Sequence, residues 1–144
     1  MFVIIAGGGR TGVYLAKMLL RQDHDVRVIE LRDHVLSSLH RELPTEVIIE
    51  GNPLDISVLQ HAGFSKAQVF VAVTTSDEDN LVLCYTARTQ FKVGRTIARV
   101  NNPRNAWLFN ETFGVDVTVN QAEIISSLIE EEMSMGDMMT LLKL

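Results

Sequence analysis

The chain has 144 residues, of which 47% are hydrophobic and 22% charged: enough length for one domain with a buried core, and too apolar for a disordered chain. Its net charge of −5 excludes a general electrostatic attraction to nucleic acid or to an anionic membrane surface. A single cysteine, Cys84, excludes an internal disulfide and a cysteine-rich zinc site, which fits a reducing compartment.

The first apolar run, Phe2–Ala6, is far shorter than the roughly 18 residues that cross a bilayer. It has no basic leader and runs straight into Gly7-Gly8-Gly9, so it reads as a strand and not as a signal peptide. Further along, short runs rich in Val and Ile alternate with longer segments of helical period. Predicted strands are Phe2–Ala6, Asp25–Glu30, Glu46–Glu50, Gln68–Val73, Arg95–Val100 and Asp116–Val119. Predicted helices are Arg10–Arg21, Arg32–Arg41, Ile56–His61, Asp77–Phe91, Arg104–Thr112 and Ala122–Met133.

In the first helix Val13, Leu15, Ala16, Leu19 and Leu20 fall near a 3.6-residue period, with Lys17 and Arg21 facing out. The fourth opens with Thr75-Ser76-Asp77-Glu78-Asp79, which offers an N-cap and negative charge at the positive end of the helix dipole. Several strands are apolar almost throughout, as a parallel sheet covered on both faces requires. Strands and helices in strict alternation, joined by right-handed crossovers, predict an α/β Rossmann-type fold. Its doubly wound parallel six-stranded sheet should have the order 3-2-1-4-5-6, with helices on both faces. No repeat, linker or low-complexity tract divides residues 1–144, which predicts a single domain.

The sharpest motif is Gly7-Gly8-Gly9-Arg10-Thr11-Gly12, a GxGxxG pattern between a predicted strand and a predicted helix. Gly7 would permit the tight turn, Gly9 the approach of phosphate to backbone, and Gly12 close helix-to-strand packing. Amides at the helix start, including that of Thr11, would face the phosphates. Glu30 ends the second strand about 20 residues on, followed by Leu31, where a carboxylate accepts from the ribose 2′- and 3′-hydroxyls. It would also repel a 2′-phosphate, an effect that Arg32 softens. The bland alternative for Glu30 is a solvated strand end.

Four further positions carry two readings each. Arg10 either meets a phosphate or is an exposed first-turn residue. Asn52 either faces an adenine edge or makes the turn before Pro53. Thr74, Thr75 and Ser76 follow the fourth strand and either line the crevice or cap the next helix. Arg99, the odd charge in an apolar strand, either reaches the phosphates or pairs with a carboxylate such as Asp77. No catalytic triad or metal-ligand spacing appears, the four histidines read as surface residues, and Cys84 reads as core. A non-enzymatic role is therefore expected; the competing readings are an NAD-dependent oxidoreductase fragment and a structural Rossmann module that binds nothing.

These residues resemble the N-terminal domain of the RCK (regulator of K⁺ conductance) family of Trk/Ktr-type potassium-uptake regulators and potassium channels. The resemblance spans nearly the whole chain. It is carried by Gly7–Gly12, Val28-Ile29-Glu30, Glu50-Gly51-Asn52 with Asp55 and Leu59, and Ala62-Gly63-Phe64. It continues through Val73–Asn80, Ile97–Pro103 and Phe113-Gly114-Val115-Asp116. Many family members carry Gly-Asp where this chain has Gly51-Asn52. The resemblance implies a cytoplasmic regulatory module that binds an adenine nucleotide: NAD(H), ATP, ADP or AMP. It further implies a homodimer built into a larger ring at the inner face of the membrane, controlling a potassium transporter or channel, with no nucleic-acid partner and no insertion of its own. The family's C-terminal ligand domain is absent from the 144 residues. The tail Glu130–Leu144, with Met133, Met135, Met138, Met139, Leu141, Leu142 and Leu144, is expected to be a partner surface, the alternative being that it packs back on its own sheet.

Overall fold

Along β1 (Phe2–Ala6) successive side chains alternate between the two faces of the sheet, and both faces are apolar. Val3 and Ile5 point one way and Ile4 and Ala6 the other, all four buried. A strand buried on both sides needs cover on both sides. In the computed structural model, which describes residues 1–143 (backbone only at 139, 140, 141 and 143), helices supply it. Helices α1 (Arg10–Arg21) and α2 (Asp33–Glu42) lie over Val3 and Ile5, burying Ala16, Leu36 and Leu39. Helices α3 (Ile56–Ala62) and α4 (Asp77–Thr89) lie over Ile4 and Ala6, burying Leu59, Leu83 and Cys84.

The remaining strands are β2 (Asp25–Glu30), β3 (Ile48–Glu50), β4 (Val69–Ala72), β5 (Arg95–Val100) and β6 (Val117–Asn120). All pair in parallel, in the expected order β3-β2-β1-β4-β5-β6. Ile5 of β1 stands opposite Val28 of β2 on one side and Val71 of β4 on the other. The chain changes its direction of travel between β3 and β4, so the connections leaving the paired carboxyl ends of β1 and β4 run to helices on opposite faces and leave a crevice between them.

Three segments differ from the sequence expectation. The helix expected over Arg104–Thr112 is instead two 3-10 stretches, Pro103–Leu108 and Glu111–Phe113. Asn102 and Asn110 each cap a stretch with their side chains, and the bonds from Asn105 N–H to Asn102 and from Phe109 N–H to Ala106 close three-residue turns. Three asparagines in nine residues compete with the backbone ladder that an α-helix needs. The strand expected from Glu46 starts at Ile48, because Thr45–Val47 makes a 3-10 turn off Pro44.

The last helix, α5 (Gln121–Lys143), does not stop at Met133. Its side chains from Gln121 to Met138 are exposed, so this part of the tail does not pack back on its own sheet. Of the tail residues singled out above, Leu144 lies outside the described residues, as do the side chains of Met139 and Leu141. No helix among the described residues is long and apolar enough to cross a membrane.

Candidate functional site

Gly7 follows β1 with φ +115°, a conformation open to glycine, and a Cβ there would stand 2.7 Å from the Val73 carbonyl oxygen. Gly12 sits in the first turn of α1 with its Cα against the Gly7 carbonyl; a Cβ would fall 1.9 Å from that oxygen. The loop therefore closes on itself through two glycines. A Cβ on Gly9, by contrast, meets nothing within 4 Å, so the backbone there faces open space.

The first bond of α1 runs from the Val13 N–H to the Gly9 carbonyl, leaving the amides of Arg10, Thr11 and Gly12 without intrahelical partners. No acidic residue neutralises this first turn, whereas α4 carries Asp77, Glu78 and Asp79 in its own. The positive end of the α1 dipole is thus the one left for an anion.

Twenty-one residues past Gly9, at the end of β2, Glu30 is buried at 5% exposure, which removes the solvated-strand-end reading. Burial pushes its carboxyl pKa up, but the Arg32 side chain and the Arg32, Gly8 and Leu31 backbone amides outweigh that and hold it at about 2. It is ionised at any physiological pH. It faces a cleft of about 160 Å³ over the β1/β4 divide, walled by Gly7, Glu30, Leu31, Arg32, Asn52 and Thr74 among others.

The structure brings Gly7, Glu30, Leu31, Asn52, Thr74 and Thr75 of the expected residues to this one cleft. Asn52 makes the expected turn, its Oδ1 accepting from the Leu54 N–H at 3.0 Å, while also forming cleft wall. Thr74 is tied into its loop: its hydroxyl donates to Asn80 Oδ1 at 2.6 Å. Ser76 takes the capping role, accepting from the Asp79 N–H.

Arg10, Thr11 and Arg99 do not line the cleft. They lie along a neighbouring apolar groove of about 650 Å³, over β4, β5 and β6 beside α1. The Arg99 guanidinium donates to the Val73 and Thr74 carbonyls at 2.9 and 3.0 Å and reaches Thr11 Oγ1 at 3.3 Å. It does not hydrogen-bond Asp77, whose carboxylate instead accepts from Asn101, Asn102 and Asn105. Burial lowers the Arg99 pKa, and its Nε has no partner among the described residues.

Sequence reasoning missed Asn80, fully buried, which joins the two carboxyl-end loops by donating to the Thr74 and Arg99 carbonyls. It lay inside the Val73–Asn80 block, but an asparagine three residues into a helix gives no sign of which loop it will tie. Cys84 is core, as expected, and burial raises its thiol pKa to about 12, too high for a reactive thiolate.

A glycine turn at the switch point of a doubly wound parallel sheet, with an ionised buried acid ending the second strand, defines a Rossmann-type domain. The chain belongs to the TrkA-N domain family, whose model matches residues 3–121. It is 38% identical over 144 residues to the Trk system potassium uptake protein TrkA of Mycobacterium tuberculosis, covering 99% of this chain and 64% of that relative. The TrkA-N domain of the inner membrane protein ybaL from Escherichia coli has the same fold: TM-score 0.77, 21% identity, 90% of this chain and 94% of that one. So has the GsuK channel bound to NAD: TM-score 0.72, 25% identity, 92% of this chain and 24% of that one. GsuK bound to ADP gives a TM-score of 0.73 at 23% identity, over 90% of this chain and 32% of that one. The chain thus spans a little under two thirds of the potassium-uptake relative it matches. The Mycobacterium tuberculosis relative is named for potassium uptake and not for an enzymatic activity, in line with the non-enzymatic expectation.

Proposed function

We propose that this chain is a regulatory domain that binds an adenine nucleotide (NAD(H), ATP, ADP or AMP) and passes its occupancy to a membrane potassium transporter or channel. The ribose hydroxyls sit on Glu30, and the adenine lies between Leu31 and Asn52. The phosphates lie on the amides of Gly9, Arg10, Thr11 and Gly12, with Thr74 and Thr75 across the crevice. The domain works as a homodimer within a larger ring, in the cytoplasm, held at the membrane through its partner. The observation that carries this reading is Glu30: a buried acid, kept charged by the Arg32 side chain and three backbone amides, lines the switch-point cleft beside the glycine loop. The nucleotide-bound GsuK structures support the ligand class.

The test is calorimetry with NADH, NAD, ATP, ADP, AMP and NADPH on the chain and on Glu30→Ala. At least one nucleotide should bind, and the substitution should weaken it about ten- to hundredfold, the worth of charge-assisted hydrogen bonds. An unchanged dissociation constant removes Glu30 from the site, and no binding of any nucleotide leaves a structural module.

A further inference from the structure

Both oxygens of Glu30 are already occupied. Oε1 accepts from the Gly8 N–H at 2.9 Å and from Arg32 Nη2 at 2.8 Å. Oε2 accepts from the backbone N–H groups of Leu31 and Arg32 at 2.8 and 3.0 Å, and from Arg32 Nε at 3.1 Å. An ionised carboxylate offers about four lone-pair sites, so five donors leave no place for a ribose diol. Three of the five are backbone amides fixed by the glycine loop and the β2–α2 turn. The other two belong to one guanidinium, whose side chain is 40% exposed and can leave for water.

We propose that Arg32 is a displaceable latch on the ribose clamp: a nucleotide with free 2′- and 3′-hydroxyls binds by exchanging its two O–H donors for the two guanidinium N–H donors. This rests on the nucleotide reading above. The exchange is two for two, so the buried charge of Glu30 is never left with fewer partners, while the three amides hold it in place throughout. The cost falls on affinity, because only the unlatched fraction of the protein is competent for the diol. Arg32 thereby becomes a specificity residue: it screens Glu30 from weak ligands and presents a cation, not a bare carboxylate, to whatever approaches the 2′ position.

The experiment compares ADP with 2′,3′-dideoxy-ADP, which carries the same charge and makes no demand on Glu30. Calorimetry is run on the wild-type chain, Arg32→Gln and Arg32→Lys. The readout is the ratio of the two dissociation constants, which cancels any general effect of removing a positive charge. The preference for ADP over the dideoxy analogue should grow about two- to fivefold in Arg32→Gln, the range expected when a partly exposed ion pair is removed. Arg32→Lys, which keeps the charge but not the fork, should fall between. A preference that is unchanged or smaller in Arg32→Gln, with wild type binding ADP, overturns the latch alone. Binding of neither nucleotide to any of the three chains overturns the latch, and the nucleotide reading falls with it only if the six-nucleotide panel above also shows no binding.

Discussion

Glycine does two different jobs within six residues, and the difference can be measured. At Gly12 a single methyl group would collide with the Gly7 carbonyl at 1.9 Å, so Gly12→Ala must open the β1–α1 junction. At Gly9 the same methyl group meets nothing, in a backbone conformation (φ −71°) that alanine adopts freely. Gly9→Val should therefore leave the circular dichroism spectrum and thermal midpoint nearly unchanged while abolishing nucleotide binding in calorimetry. Gly12→Ala should lower the midpoint before binding is even assayed. Normal binding by a folded Gly9→Val chain puts the phosphates elsewhere. At this scale the motif was legible because spacing alone carries it: glycine offsets and a carboxylate at the end of the second strand are visible in one dimension. Arg99 was not. A charge in an apolar strand shows that something unusual is needed, and only the fold reveals that its partners are carbonyls of the neighbouring loop.

The elements were legible for a related reason. Strands buried on both faces are apolar runs, and α1 and α2 have one-sided patterns, so existence and order followed from periodicity. The connection from β5 to β6 was not legible, because its shape is set by carboxylate bonds that reach across the fold: one acid comes from α4, and the other, at the end of the connection, reaches back to α4 and β5. Asp77, at the start of α4, collects the Asn101 and Asn102 amides at 2.6 and 2.9 Å and the Asn105 side chain at 2.9 Å. Asp116, before β6, takes Arg88 and the Thr96 amide. For both acids burial raises the pKa, and the hydrogen bonds outweigh it and lower it below the ordinary aspartate value. With Glu30 held at about 2 against its ordinary 4.5, all three shifts have one sign. A depressed carboxyl pKa contributes stability that is complete above the unfolded-state value and lost as pH falls through the folded one. The thermal midpoint should accordingly hold from neutrality to about pH 4.5 and drop steadily toward pH 2. Asp77→Asn should lower the midpoint at neutral pH, since its amide turns donors against donors, and should flatten the acid limb. A midpoint insensitive to acid would mean that these carboxylates hold nothing.

The whole molecule leaves two apolar surfaces unmatched. Helix α5 exposes Ile124, Ile125, Leu128 and Ile129 on adjoining turns, each 48–58% exposed, and continues through Met133, Met135 and Met138. The sheet face over β4–β6 is only partly covered beside α1, where half-buried Val69, Val73, Ile97 and Val119 line the groove. Apolar side chains exposed on adjoining turns of a helix are unfavourable in water at roughly 25 cal/mol for each Å² they could bury. The chain should therefore associate through α5 at tens of micromolar in light scattering, and Ile125→Glu with Leu128→Glu should return it to monomer without loss of nucleotide binding. Association alone would not make a regulator. A ligand shifts a quaternary equilibrium only by its differential affinity for the two arrangements, so at least two nucleotides must favour different ones. The cleft offers a route: it is walled by the loops that open α1 and α4, and Arg99, at the edge of the groove, bonds Thr11 in the first turn of α1 on one side and the Val73 and Thr74 carbonyls on the other. A change in phosphate number at the start of α1 would then move one wall of the groove against the other. Small-angle scattering with ATP, ADP and NADH should give distinguishable profiles, and Arg99→Gln should reduce the difference while leaving the oligomer mass unchanged. Identical profiles with every nucleotide that binds would mean that the domain holds its ligand without reporting it.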